Sequence, residues 1–147
     1  VELLGTLRAL TKADEKMLIE RVTQIAVKTA EAAGAEAVVK IPYSVHYPVT
    51  YNDPDLTGQM VPSLQKAVGP ENVRLRPAIT GAEDFSFFQQ KVPGLYFFLG
   101  AMPKGQDPKT VAPHHTPDFF LDESAFKHGV KAFLHLTLDY LAMAKSN

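Results

Sequence analysis

The chain has 147 residues with 15 basic and 16 acidic side chains, and its net charge of −1 gives no footprint for nucleic acid or an anionic membrane surface. Having no cysteine, it holds neither a disulfide framework nor a thiolate metal site, while the compartment, cytoplasmic or exported, stays open. A hydrophobic content of 46% and a charged content of 21% suit a soluble globular domain or pieces of two, and no apolar run approaches the roughly 20 residues of a membrane span.

The opening Val1-Glu2-Leu3-Leu4 reads as the inside of a strand with no leader before it, so the chain is expected to be a fragment. A strand is expected over residues 1–10. Thr11 then caps a helix, with Asp14 completing a capping-box pattern, and Leu18, Val22, Ile25, Ala26, Thr29 and Ala33 share one helical face. Gly34 supplies the stop. Residues 37–49 return as a strand interrupted by Pro42 and Pro48, which makes one βαβ-like unit.

Composition changes between Tyr47 and Pro54, where two prolines and an Asn-Asp pair mark a turn and a boundary between structural units. Asn52 or Asp53 caps a helix carrying Leu56, Met60, Leu64 and Val68, and Pro62 predicts a break near Val61. A short strand over 73–76 ends at Pro77. Thr80-Gly81-Ala82-Glu83 opens a short helix that ends near Gln90. The run Leu95–Leu99, closed by Gly100, suits a strand buried on both faces. A polar loop follows over 101–113. From Asp122 an amphipathic helix is expected to reach Ala144, burying Phe126, Val130, Phe133, Leu134, Thr137 and Leu141. Alternation of helix and strand predicts an α/β layer.

His114 and His115 lie in a loop stiffened by Pro113 and Pro117, where a neutral imidazole can serve zinc or manganese. Adjacent residues of an extended loop point apart, so one of the two faces a site, and spacing leaves both as candidates. A closed metal site needs about three or four protein ligands, which this pair does not supply. Glu83 and Asp84 could act as acid-base or ligand groups. Thr80-x-x-Glu83 is also a capping box, and capping is the favoured reading of Glu83. Backbone N–H groups beside Gly81 could hold a substrate oxygen. Arg8 and Arg76 could pair with a carboxylate, although isolated arginines are commonly surface residues. His46, His128 and His135 read as structural.

Glu2-x-x-Gly5-Thr6-x-Arg8, Tyr51-Asn52-Asp53, Gly81-Ala82-Glu83-Asp84-Phe85-Ser86-x-Phe88, Val92-Pro93-Gly94, Leu99-Gly100, His115-Thr116-Pro117-x-Phe119 and Asp122-Glu123 occur in this order. The ordered set resembles the C-terminal part of a dinuclear-metal amidohydrolase. That family comprises hippurate hydrolase, N-acyl-amino-acid amidohydrolases and auxin-conjugate hydrolases, within the aminoacylase and zinc-carboxypeptidase superfamily. The resemblance implies that residues 1–50 are the second half of a ferredoxin-like (α+β) lid and dimerisation domain. Residues 51–147 would be the C-terminal part of a zinc-exopeptidase-like α/β catalytic domain.

The resemblance further implies that His115 is a metal ligand and that Gly81, Ala82 and Glu83 border the substrate. The remaining ligands, the glutamate base and a lid histidine belong to an N-terminal half absent from this chain, so no catalytic residue is assigned here. A complete site would hold two divalent metals (zinc, manganese, nickel or cobalt) and would use a metal-activated water to hydrolyse the amide of an N-acyl amino acid or peptide-like conjugate. The chain alone is expected to be inactive. Its expected partners are a small-molecule substrate, the missing half or a complementary chain, and a second copy in a homo-oligomer. The alternative reading is a non-catalytic α/β module that acts by assembly.

Overall fold

The computed structural model describes residues 1–145; Ser146 and Asn147, the end of the expected 51–147 segment, lie outside them. Four α-helices form: α1 (Lys12–Ala32), α2 (Pro54–Val68), α3 (Phe85–Gln89) and α4 (Phe126–Ala144), with 3-10 turns at Pro70–Asn72 and Glu123–Ala125. The chain divides into two units: Val1–Asn52 with Arg76–Gly94, and Asp53–Leu75 with Leu95–Asn147.

In the first unit, α1 starts where its cap dictates. The Thr11 hydroxyl accepts from the Asp14 N–H at 3.0 Å and donates to the Asp14 carboxylate at 2.7 Å. It stops in a Schellman motif: Gly34 has φ +69°, its N–H bonds to the Glu31 carbonyl, and the Ala35 N–H bonds to the Ala30 carbonyl. The expected apolar face is only partly covered, however: Leu18 and Ala26 are half-buried, whereas Val22 and Ile25 are exposed. No residue of α1 is buried, and Ile25 is 57% exposed. Periodicity identifies a face but not a partner for it.

In the second unit, Asp53 caps α2 by accepting from the Leu56 N–H at 2.8 Å, and Pro54 takes the first turn, where its missing N–H costs nothing. Leu64 and Ala67 pack with Ala132 of α4, flanked by Val68, Val73, Leu95, Phe97 and Leu136. Burying a side chain such as Leu64 contributes about 1.5–3 kcal/mol. Two polar bonds lock the helix pair: Ser63 Oγ and Lys66 Nζ donate to Asp139 Oδ2 at 2.7 and 2.9 Å. The Asp122 side chain accepts from the Ser124 N–H, which begins the 3-10 turn that leads into α4.

Several expectations need correcting. Helix α2 runs through Pro62 without a break. The carbonyl that Pro62 leaves without its N–H belongs to Gly58, and both residues are exposed, so water can serve it. No helix starts at Thr80: its carbonyl accepts from Arg8 Nη1 at 2.6 Å instead of from the fourth residue on, and α3 begins at Phe85. The capping role of Glu83 is therefore not realised. On α4 the buried positions are Gly129 and Ala132, while Phe126, Val130, Phe133, Leu134 and Leu141 are exposed. Ala132 packs with Leu64 and Ala67 of α2, and Gly129 makes room for Leu99, whose side chain a Cβ would meet at 3.0 Å, whereas the sequence pattern weighted the large residues.

The four segments expected as strands, 1–10, 37–49, 73–76 and 95–99, carry no strand ladder among the described residues. A strand is defined by a neighbour that shares its N–H and C=O groups.

Candidate functional site

The residues singled out in the sequence lie on two loops, one in each unit.

In the first unit, residues 80–84 precede α3. Arg8 holds the Thr80 carbonyl, which places Gly81 immediately after a fixed point. Gly81 and Ala82 are exposed and Glu83 is half-buried. A Cβ on Gly81 would meet only Ile79, at 3.9 Å, so the loop faces open space there. At its far end the loop is anchored by Ser86, which is fully buried and donates from Oγ to the Glu83 carbonyl at 2.6 Å.

Gln89 ties other motif residues to this loop. Its Oε1 accepts from the Tyr51 N–H at 3.0 Å, and its Nε2 donates to Asn52 Oδ1 at 3.4 Å. Gly94 sits so close that a Cβ would lie 2.7 Å from the Gln89 side chain. Gln89 was not singled out by the sequence; a half-buried amide among Phe85, Phe87 and Phe88 is the only trace it leaves. Lys12 Nζ donates to Gln90 Oε1 at 3.1 Å, a further tie to α1. The His46 imidazole contacts the Glu15 carboxylate, in line with a structural role. Arg76 is exposed.

In the second unit, His114 and His115 form a turn rather than an extended run. His115 has φ +65°, the only described non-glycine residue at positive φ. Histidine enters the left-handed region more readily than bulky or β-branched residues, yet the conformation costs about 1–2 kcal/mol for an L-residue. The turn is closed by Thr116, whose Oγ1 donates to the Pro113 carbonyl at 2.8 Å. A second turn follows, with the Phe119 N–H donating to the Thr116 carbonyl at 3.2 Å and Pro117 inside it.

The two imidazoles diverge, with ring centroids 6.4 Å apart and planes at 86°. His114 packs edge-on to Phe119 at 4.7 Å. His115 is exposed, and its ring makes no hydrogen bond among the described residues. Both of its nitrogens are thus open to a metal, and strain held at one residue is a recurrent mark of functional sites. Among the described residues no group of three or more His, Cys, Asp or Glu gathers to hold a metal, so His115 is presented as a single donor. Seven residues further along the chain, Asp122 has its carboxyl held below the usual carboxylate range by hydrogen bonds from Ser124, helped by the charge of Lys104.

The sequence pattern of Peptidase family M20/M25/M40 matches residues 5–139. Thermostable carboxypeptidase 2 of Saccharolobus solfataricus is 32% identical over 139 residues, 95% of this chain and 34% of the relative. N-acetyldiaminopimelate deacetylase of Pediococcus pentosaceus is 33% identical over 130 residues, 88% of this chain and 32% of the relative. IAA-amino acid hydrolase ILR1-like 4 of Arabidopsis thaliana is 30% identical over 146 residues, 97% of this chain and 32% of the relative. No solved structure matches the chain. The chain spans about a third of the length of these curated relatives. No helix among the described residues is long and apolar enough to cross a membrane. Relatives in this family are peptidases and amidohydrolases acting on amide bonds, and the family's peptidases are generally metal-dependent. On the match over residues 5–139, the chain belongs to Peptidase family M20/M25/M40.

Proposed function

We propose that the chain is the C-terminal part of a metal-dependent amidohydrolase that cleaves the amide bond of N-acyl amino acids or peptide-like conjugates. The observation that supports this reading is the His115 turn: an exposed imidazole that makes no hydrogen bond among the described residues, held at φ +65° inside the His-Thr-Pro motif. His115 would be one ligand in a site of two divalent metals (zinc, manganese, nickel or cobalt). Bound there, the metals would lower the pKa of a water and polarise the amide carbonyl. Gly81, Ala82 and Glu83 would border the substrate, with Arg8 fixing the loop through Thr80.

The fold is read in the same way. Residues 1–50 serve as the second half of a lid and dimerisation domain, and 51–147 as the C-terminal part of an α/β catalytic domain. The four segments expected as strands become strands when paired with polypeptide outside this chain. The general base lies outside the chain, so the chain alone is inactive, and the complete enzyme works as a homo-oligomer.

The test uses the full-length enzyme with N-acetyl amino acids and N-benzoylglycine, with and without chelator. His115→Ala should lower bound metal and hydrolysis together. Unchanged metal content and rate in that variant would remove His115 from the ligand set.

A further inference from the structure

His115 is held in the left-handed region, yet no hydrogen bond among the described residues involves its own backbone or ring. The two bonds nearby flank it. Thr116 Oγ1 closes one turn onto the Pro113 carbonyl at 2.8 Å, and the Phe119 N–H closes the next onto the Thr116 carbonyl at 3.2 Å. A hydrogen bond returns about as much as an L-residue at positive φ costs, so these two leave little margin. The remaining tie is aromatic. His114 meets Phe119 edge-on, with ring centroids 4.7 Å apart and planes at 81°, the arrangement favoured by the opposed partial charges of ring edge and ring face. The His115 φ torsion lies on the chain path between those two rings. Relaxing it from +65° to the right-handed value of about −63° turns the flanking segments by roughly 130° around that bond and separates the rings. Contact and torsion stand or fall together.

We propose that His114 and Phe119 are positioning residues: the contact between their rings holds His115 in the left-handed conformation, from which its imidazole is presented to a divalent metal. This rests on the reading of His115 as a ligand. It gives the other imidazole of the pair a role that needs its flat ring and not its nitrogens. The geometry supports that division. The two imidazoles diverge, with centroids 6.4 Å apart and planes at 86°, and the His114 ring makes no hydrogen bond among the described residues. A phenyl ring in place of the His114 imidazole keeps an aromatic contact with Phe119, whereas a methyl group does not. A ligand, by contrast, cannot be replaced by phenylalanine.

Cobalt(II) uptake by the metal-free full-length enzyme, followed by visible absorption, tests the proposal, with urea midpoints measured on the same variants. Both rings are exposed, so their truncation leaves the fold in place. His114→Ala and Phe119→Ala should each raise the cobalt concentration at half-saturation by about tenfold, the usual effect of losing a group that orients a ligand. Their saturated spectra should match wild type, because the ligand set is unchanged. His114→Phe and Phe119→Tyr should restore uptake to within about twofold of wild type. Uptake as weak in His114→Phe as in His114→Ala overturns the proposal, because the nitrogens of His114 then matter. Wild-type uptake in both alanine variants also overturns it, whether or not their urea midpoints fall, since a lowered midpoint alone is a purely structural effect. His115→Ala separates the two readings. Weaker uptake and an altered spectrum in that variant, with wild-type uptake in the other two alanine variants, reject the ring pair alone. Unchanged uptake in His115→Ala rejects the ligand reading, and the proposal falls with it.

Discussion

Arg8 and Thr80 are 72 residues apart in sequence, and the guanidinium of one donates to the carbonyl of the other at 2.6 Å. The bond fixes the backbone one residue before Gly81, and it uses the carbonyl that a helix starting at Thr80 would have needed. Arg8→Ala should therefore free the loop rather than unfold the unit. Amide exchange at Gly81, Ala82 and Glu83 should accelerate by about five- to tenfold, the equivalent of one hydrogen bond of roughly 1 kcal/mol. Exchange in the middle of α1 should stay as it was. Equal acceleration in both places would show that Arg8 supports the whole unit instead.

The left-handed turn at His115 separates backbone cost from side-chain role. His115→Gly should be at least as stable as wild type, and His115→Val should be less stable than His115→Gly by about 1–2 kcal/mol, because a β-branched side chain is excluded from that region. His115→Asn should fall between them. Urea midpoints of the three variants give the order. A valine variant as stable as the glycine variant would mean that the turn relaxes to negative φ.

Acid should weaken the α2–α4 pair. The Asp139 carboxyl is held below its ordinary pKa by hydrogen bonds from Lys66 and then Ser63, with the charge of Lys66 adding to them. A carboxyl lowered on folding contributes stability above its unfolded pKa of about 3.9 and loses it as the pH falls through the lower folded value. The stability gap between wild type and Asp139→Asn should be constant near neutrality and should shrink below about pH 4. A gap independent of pH down to acid unfolding would show that the charge contributes nothing.

Pro62 leaves a stabilising substitution available. A proline inside a helix costs up to about 3 kcal/mol, and Pro62→Ala restores a donor to the exposed Gly58 carbonyl. The variant should gain about 1–3 kcal/mol, less whatever water already recovers at that carbonyl. Thermal unfolding of the two proteins decides it. No gain would mean that the wild-type helix already satisfies the carbonyl through solvent.

How much of this was legible in the sequence depended on how local each signal is. Thr11, Gly34 and Asp53 act on their immediate neighbours, and the ends of α1 and the start of α2 follow from them. The start of α3 was misplaced because the fate of the Thr80 carbonyl is settled by Arg8, far away in sequence. The buried face of α4 was misassigned because the helix has two apolar sides and periodicity does not rank them; the side that is buried carries the small residues Gly129 and Ala132, and Ala132 meets Leu64 and Ala67 of α2. Strand pairing is non-local throughout, so a local apolar pattern cannot say whether a segment finds a partner, and the four segments expected as strands carry no ladder among the described residues. For the candidate site, the motif order selected His115 over His114. In the structure His114 is engaged with Phe119, a contact that no spacing rule contains.

The hydrogen bond from the Asp122 N–H to the Ala101 carbonyl, at 2.8 Å, closes the polar loop at its neck. Doubling the length of such a loop adds only about 0.6 kcal/mol of closure entropy. The His115 turn lies seven residues from the Asp122 side of the neck, so inserted residues over 102–110 would lengthen the other arm and leave that distance unchanged. The loop is an asymmetric tether: one arm can be lengthened without moving the other along the chain, and the shorter arm is the strut that carries the imidazole.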